Sequence, residues 1–141
     1  MLASLETFPG ISYTNIYTHN DEFVQPNLSS NGTTSLHGGG GRITNVALQD
    51  ICPLNVSEHI AIGTYDPVAY VIALDALTHP GQPADPARIS RSVCSRLLMP
   101  GVDPATFAAD LAGVDTTVAT QLALYPRVQG EPTLKPYVYA H

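Results

Sequence analysis

An aspartate and a histidine in this sequence have the types and the order that acyl-transfer chemistry requires. Asp21 follows a segment rich in β-branched and aromatic residues, and His59 lies 38 residues later, after a second such segment. A histidine can accept the proton of an attacking hydroxyl, while a carboxylate fixes its tautomer and stabilises the imidazolium. Spacing alone leaves another interpretation open, in which Asp21 belongs to a turn and His59 is an ordinary surface or core residue.

The serine nucleophile that such a pair would serve is not recognisable in the sequence. In α/β-hydrolases the chain order is Ser, Asp or Glu, then His, and the serine stands in a Gly-x-Ser-x-Gly elbow. Only Ser4 and Ser12 precede Asp21, and neither lies between a strand and a helix. Because an acid and a base without a nucleophile have no group to activate, we expect the chain to be inactive by itself.

Other polar residues offer alternatives. Residues 36–41 read Leu-His-Gly-Gly-Gly-Gly and resemble a glycine-rich oxyanion motif. That motif precedes the nucleophile, whereas this segment lies between acid and base, so we interpret it as a flexible loop. His19 is a competing base. Glu58 is either a solvated or capping carboxylate, or a replacement for Asp21 as the orienting acid.

The local sequence pattern predicts two strands and three helices. Residues 11–17 and 42–50 read as strands, separated by a long polar loop. Asp-Pro pairs at Asp66, Asp85 and Asp103 each combine an N-cap with a proline at the first helical position. Behind the third pair lies an apolar stripe at helical spacing: Phe107, Leu111, Val114, Val118 and Leu122. Two strands do not complete a sheet, so residues 1–141 are expected to be one partial α/β domain.

Composition indicates a folded chain, with 44% hydrophobic and 13% charged residues. A net charge of −6 provides no basic surface for nucleic acid, and the apolar runs are too short to span a bilayer. Sequons at Asn27, Asn31 and Asn55 give weak support to a secreted origin, although no signal peptide is visible. Cys52 and Cys94 are compatible with one disulfide or two buried thiols, and no metal site is predicted.

The segment around Asp21 resembles a known family. Residues 14–26, with the core Asp-Glu-Phe-Val-Gln-Pro, closely resemble the catalytic-aspartate segment of the Candida antarctica lipase B-like lipases, which are α/β-hydrolases. Residues 52–59 are similar to that family's cysteine and catalytic-histidine segment, and residues 131–137 to its C-terminal Glu-Pro-x-Leu-x-Pro-Tyr. The resemblance covers nearly the whole chain, but only about the last half of a typical family member.

The resemblance implies that Asp21 is the triad acid and His59 the general base. It implies the C-terminal portion of an α/β-hydrolase fold, from a secreted lipase or carboxylic ester hydrolase that needs no cofactor. It also implies a disulfide between Cys52 and Cys94. The residues that would border the substrate pocket are Phe23, Val24, Val114, Val118 and Gln121. Two of them, Phe23 and Gln121, replace typically aliphatic residues, and the family's final disulfide has no counterpart.

Two rival hypotheses remain beside the lipase fragment. The chain is a non-catalytic binding or interaction module of hydrolase descent, or it is one half of a two-chain hydrolase. In the last case the partner is the missing N-terminal half, which supplies the serine. The expected substrate of the parent protein is a lipid or another carboxylic ester.

Overall fold

The computed structural model describes residues 6–130 together with Thr133 and Lys135. These residues form two compact units, the first extending to Val102 and the second beginning at Asp103. Ser4 and His141 lie outside the described residues. So does the family-like segment 131–137, apart from Thr133 and Lys135.

Two parallel strands, β1 (Ser12–Tyr17) and β2 (Arg42–Ala47), form the sheet of the first unit. Parallel pairing places the carboxyl ends of both strands at one edge of the sheet. Both strands were predicted, but β2 ends earlier than expected, because α1 (Leu48–Ile51) follows it directly. The Asp50 carboxylate accepts a 2.8 Å hydrogen bond from the backbone N–H of Ala47, which closes this first helical turn.

Two further helices begin at carboxylate caps. Glu58 accepts hydrogen bonds from backbone N–H groups of α2 (His59–Thr64). Asp66 accepts two bonds of 2.7 Å from the first turn of α3 (Pro67–Thr78), with Pro67 at the first helical position. Side-chain capping of this kind satisfies N–H groups that have no partner within the helix. The predicted start of α3 is confirmed.

The α-helix expected after Asp85 does not form. Two short 3₁₀ helices, Pro86–Arg88 and Arg91–Ser95, take its place. Between them Ser90 adopts an extended backbone, and its hydroxyl accepts the N–H of Ser92. A serine side chain that caps a new turn competes with continuation of the preceding one, which explains the break.

The core of the first unit is formed around α3 by residues from β2, α1 and the second 3₁₀ helix. Its buried members are Val46, Leu48, Ile51, Cys52, Val68, Ala69, Ile72, Ala84 and Val93. Their packing fixes the end of β2 and the start of α3. The segment that carries His59 connects these two elements.

The second unit contains α4 (Phe107–Leu124). This helix was predicted to begin at Asp103, but residues 103–106 form a separate turn in which the Asp103 carboxylate accepts the N–H of Ala105 at 2.9 Å. No residue of α4 is buried, and Val114 of the expected apolar stripe is exposed. The described part of the chain is therefore a mixed α/β structure with two parallel strands and four α-helices. Within it, no helix has the length and apolar character needed to cross a membrane.

Candidate functional site

Asp21 and His59 are hydrogen-bonded side chain to side chain. His59 Nδ1 lies 2.9 Å from Asp21 Oδ2 and 3.1 Å from Oδ1. Because an ionised carboxylate only accepts hydrogen bonds, this contact assigns the proton to Nδ1 and leaves Nε2 as the basic nitrogen. The Asp21 side chain is 8% exposed and that of His59 is 40% exposed, so the carboxylate is buried while the imidazole can be reached from solvent.

The residues that follow Asp21 hold its carboxylate. Oδ1 accepts the backbone N–H groups of Phe23 at 2.9 Å and Val24 at 2.8 Å, and the Gln25 side-chain amide donates to the Asp21 carbonyl. Burial by itself would raise the pKa of Asp21. The hydrogen bonds from His59, Val24 and Phe23 outweigh that effect and hold the pKa below its ordinary value. The carboxylate is therefore ionised and fixed in orientation.

Three neighbours position His59. His59 is the first residue of α2, which Glu58 caps. The backbone N–H of His59 donates to Glu22 Oε2 at 3.2 Å. The Phe23 ring meets the imidazole edge-on, with the ring centroids 5.1 Å apart and an angle of 74° between the planes. Such edge-to-face packing favours one ring orientation. Together with the Asp21 bond, it fixes the direction of Nε2.

A polar network joins the segment that bears Asp21 to the loop that leads to His59. The Thr18 hydroxyl donates to the Ser57 carbonyl at 2.7 Å, and Gln49 Nε2 donates to both Thr18 Oγ1 and the Asn55 carbonyl. Asp66 Oδ2 accepts the Ser57 hydroxyl at 2.6 Å and Asn55 Nδ2 at 2.8 Å. Thr18 and Asp66 are both buried. Sequence reasoning did not assign these positioning contacts, and its only local signal was the capping potential of Asp66.

A disulfide between Cys52 and Cys94 confirms the pairing implied by the family resemblance. It fixes the start of the 52–58 loop to the second 3₁₀ helix. Since Glu58 caps α2 at the other end, the loop that leads to His59 is held at both ends.

The competing candidates have other contacts. The His19 ring packs against the Tyr17 ring, with the ring centroids 5.9 Å apart. The backbone N–H of His19 donates to Gln49 Oε1. Glu58 is a capping carboxylate, which was one of the roles expected for it. Neither residue replaces Asp21 or His59 in the contact described above.

The glycine segment 36–41 is held by hydrogen bonds, although a flexible loop was expected. Glu6 Oε2 accepts the backbone N–H groups of His37 at 2.5 Å and Gly38 at 2.8 Å. These bonds lower the pKa of Glu6. Thr7 Oγ1 donates to the Gly38 carbonyl and accepts the N–H of Gly41.

The predicted pocket residues fall into two groups. Phe23 and Val24 adjoin the Asp21–His59 pair, whereas Val114, Val118 and Gln121 lie on α4 in the second unit, so their place at a pocket stays a prediction. No hydroxyl or thiol of the described residues bonds to His59 Nε2. The same part of the chain contains no group of three His, Cys, Asp or Glu side chains suited to a metal ion.

No protein-family model matches this chain, and no curated protein matches it either.

Proposed function

We propose that this chain supplies the acid and the general base of a serine-type carboxylic ester hydrolase, as the C-terminal portion of an α/β-hydrolase domain. The observation that carries the proposal is the 2.9 Å contact between His59 Nδ1 and the buried Asp21 carboxylate. The segments that lead from β1 to Asp21 and from β2 through α1 to His59 begin at the same edge of a parallel sheet. The resemblance of residues 14–26 to the lipase family also supports this assignment. The disulfide is compatible with a secreted parent protein.

In this mechanism His59 Nε2 accepts the proton of a serine hydroxyl as that oxygen attacks the ester carbonyl. The same nitrogen then donates the proton to the departing alcohol. Asp21 remains ionised, keeps Nδ1 protonated and stabilises the imidazolium that forms between the two steps. The lowered pKa of Asp21 suits this role, because the carboxylate keeps its charge at neutral pH.

The remaining parts of the reaction are assigned by the same proposal. The serine and the oxyanion-hole donors come from a segment outside this sequence, because no Gly-x-Ser-x-Gly elbow occurs in it. Lipids or other carboxylic esters are the substrates. The acyl or alcohol part of the ester contacts Phe23, Val24, Val114, Val118 and Gln121.

The tautomer of His59 can be tested on the chain itself. We expect nitrogen NMR to show the Nδ1–H tautomer for His59 at neutral pH. The substitution Asp21→Asn should change the tautomer equilibrium, whereas His19→Gln, the matched control, should leave it unchanged. A neutral His59 ring with its proton on Nε2 and none on Nδ1 in the unsubstituted chain would contradict the proposed roles.

Activity provides the second test. The chain alone should not hydrolyse p-nitrophenyl butyrate, whereas refolding it with a serine-bearing N-terminal half of a family lipase should restore turnover. His59→Gln and Asp21→Asn should abolish that turnover, and His19→Gln should not. Inhibitor-sensitive hydrolysis by the chain alone would place the nucleophile within this sequence. An unaffected His59→Gln complex would instead rule out His59 as the base.

A further inference from the structure

An open cavity of about 600 Å³ lies beside the loop that leads to His59. Its walls come from that loop, from the start of α3 and from the second 3₁₀ helix, and they include the Cys52–Cys94 disulfide. The lining contains neither Asp21 nor His59. Its volume is within the range of small-molecule sites, so the cavity can be considered independently of the acid–base pair.

Three exposed apolar side chains line this cavity. Leu54 is 92% exposed, Val56 is 83% exposed and Leu97 is 87% exposed. A single exposed leucine is ordinary on a protein surface, but several around one concave site form a patch suited to an apolar ligand. The disulfide at Cys52 holds the loop that bears two of them.

Two arginines, Arg91 and Arg96, also line this cavity. Within the described residues, neither Arg91 nor Arg96 forms an ion pair or a side-chain hydrogen bond, whereas Arg88 pairs with Asp75 at 2.7 Å. The two carboxylates in the lining, Glu58 and Asp66, accept backbone N–H groups of α2 and α3. Glu58 and Asp66 keep their charges, but their oxygens already have N–H and O–H partners, whereas the two guanidinium groups have none among the described residues.

We propose that this cavity binds the monomeric anion of a medium-chain fatty acid. Its carboxylate lies between Arg91 and Arg96, and its chain lies against Leu54, Val56 and Leu97. Guanidinium groups bind carboxylates through paired hydrogen bonds, and burial of the chain removes apolar surface from water. The site goes beyond the proposed hydrolase function and does not depend on it, since neither Asp21 nor His59 takes part.

Titration with decanoate, below its critical micelle concentration, tests the proposal on the whole chain. Calorimetry should give saturable binding, and backbone NMR shifts should change around Leu54 and Leu97. The double substitution Arg91→Gln with Arg96→Gln should weaken decanoate binding about fivefold, as expected for two exposed ion pairs. Binding of the uncharged 1-decanol should not change. Arg42→Gln, which lies outside the cavity, is the matched control and should affect neither ligand.

A second substitution tests the apolar wall. Leu97→Ser should weaken decanoate and 1-decanol alike, and circular dichroism should show that the fold is retained because the side chain is exposed. The proposal is overturned if no saturable binding occurs, or if the arginine double variant binds decanoate as well as the unsubstituted chain. It is likewise overturned if shift changes cluster at Phe23 and His59, or if the chain binds only to anionic vesicles.

Discussion

The hydroxyl of Thr18 donates a hydrogen bond of 2.7 Å to the carbonyl oxygen of Ser57. Thr18 begins the turn that bears Asp21, and Ser57 lies just before His59. One side chain therefore joins the turn that bears Asp21 to the loop that leads to His59. Because Thr18 is fully buried, water cannot replace this bond without a local rearrangement.

Replacing Thr18 by valine should destabilise the fold and loosen the contact between Asp21 and His59. Valine has nearly the same shape but lacks the hydroxyl, so the Ser57 carbonyl would lose its donor in a buried site. We expect the free energy of unfolding to fall by about 2 kcal/mol, which urea denaturation can measure.

Thr44→Val is the matched control for this substitution. Thr44 lies in β2 and, among the described residues, makes no side-chain hydrogen bond, so its replacement should be nearly neutral. Equal effects of the two substitutions on the free energy of unfolding would show that the Thr18–Ser57 bond makes no specific contribution to stability.

Removal of the disulfide should have a larger effect on stability. Cys52 and Cys94 are separated by 42 residues, and closure of a loop of that length in the unfolded chain corresponds to about 4 kcal/mol. The double substitution to alanine should therefore lower the urea midpoint strongly, and a reducing agent should do the same to the unsubstituted chain. If the reductant lowers the urea midpoint of the double variant by as much as it lowers that of the unsubstituted chain, the effect of the reductant does not come from this disulfide.

Local sequence signals predicted those elements that neighbouring residues determine. The β-branched residues of β1 predicted that strand, and Asp66 followed by Pro67 predicted the start of α3. The same kind of signal failed after Asp85, because the hydroxyl of Ser90 competes locally and begins a new turn. The resemblance to the lipase family implied that Asp21 and His59 act together and that Cys52 pairs with Cys94, both of which spacing alone left undecided. The structure shows the Asp21–His59 hydrogen bond and the disulfide, while the catalytic roles stay a prediction.

Contacts between distant residues could not be predicted in this way. Asn55 and Ser57 belong to a sequon, which the sequence offered only as support for a secreted origin. In the structure Asn55 Nδ2 donates to Asp66, and the Asn27 sequon residue is fully buried. The Thr18–Ser57 bond likewise joins segments that no local periodicity relates. These contacts depend on the tertiary arrangement of the loops.

Two glycines should respond to alanine in opposite directions. Gly39 has φ of +100°, and a Cβ atom there would lie 2.0 Å from the carbonyl oxygen of Thr7. Gly39→Ala should lower the free energy of unfolding by about 2 kcal/mol or more, because the backbone must shift. Gly63 lies in α2 with open space at its Cβ position, so Gly63→Ala should raise that free energy by about 0.5–1 kcal/mol.

Thermal or urea unfolding of both glycine variants provides the measurement. The sign of each change is more informative than its size, since each variant serves as the other's control. A neutral Gly39→Ala would mean that the contact between Thr7 and the glycine segment is not maintained in solution.

Acid should weaken the fold through Asp75, whose side chain is 9% exposed and accepts bonds of 2.7 Å and 2.9 Å from the Arg88 guanidinium. Arg88 lowers the pKa of Asp75 from 3.8 to about 2, against the opposing effect of burial and with help from the Asp85 N–H. The unfolded chain therefore binds this proton more readily than the folded chain. The lowered pKa of Asp75 corresponds to a stabilisation of the folded chain by about 2 kcal/mol. This stabilisation is present above pH 3.8 and is lost as the pH falls through 2.

Asp75→Asn isolates this contribution from that of the other carboxylates, including Asp21. At neutral pH the variant should be less stable than the unsubstituted chain, because Arg88 loses the nearer of its two ionised partners and keeps only Asp85, at 3.5 Å. Between about pH 4 and 2 the difference should shrink by about 2 kcal/mol, as Asp75 of the unsubstituted chain becomes protonated. Urea unfolding across this range measures the difference, and Asp103→Asn, in an exposed turn, is the control. Parallel pH profiles for the unsubstituted chain and Asp75→Asn would contradict the prediction.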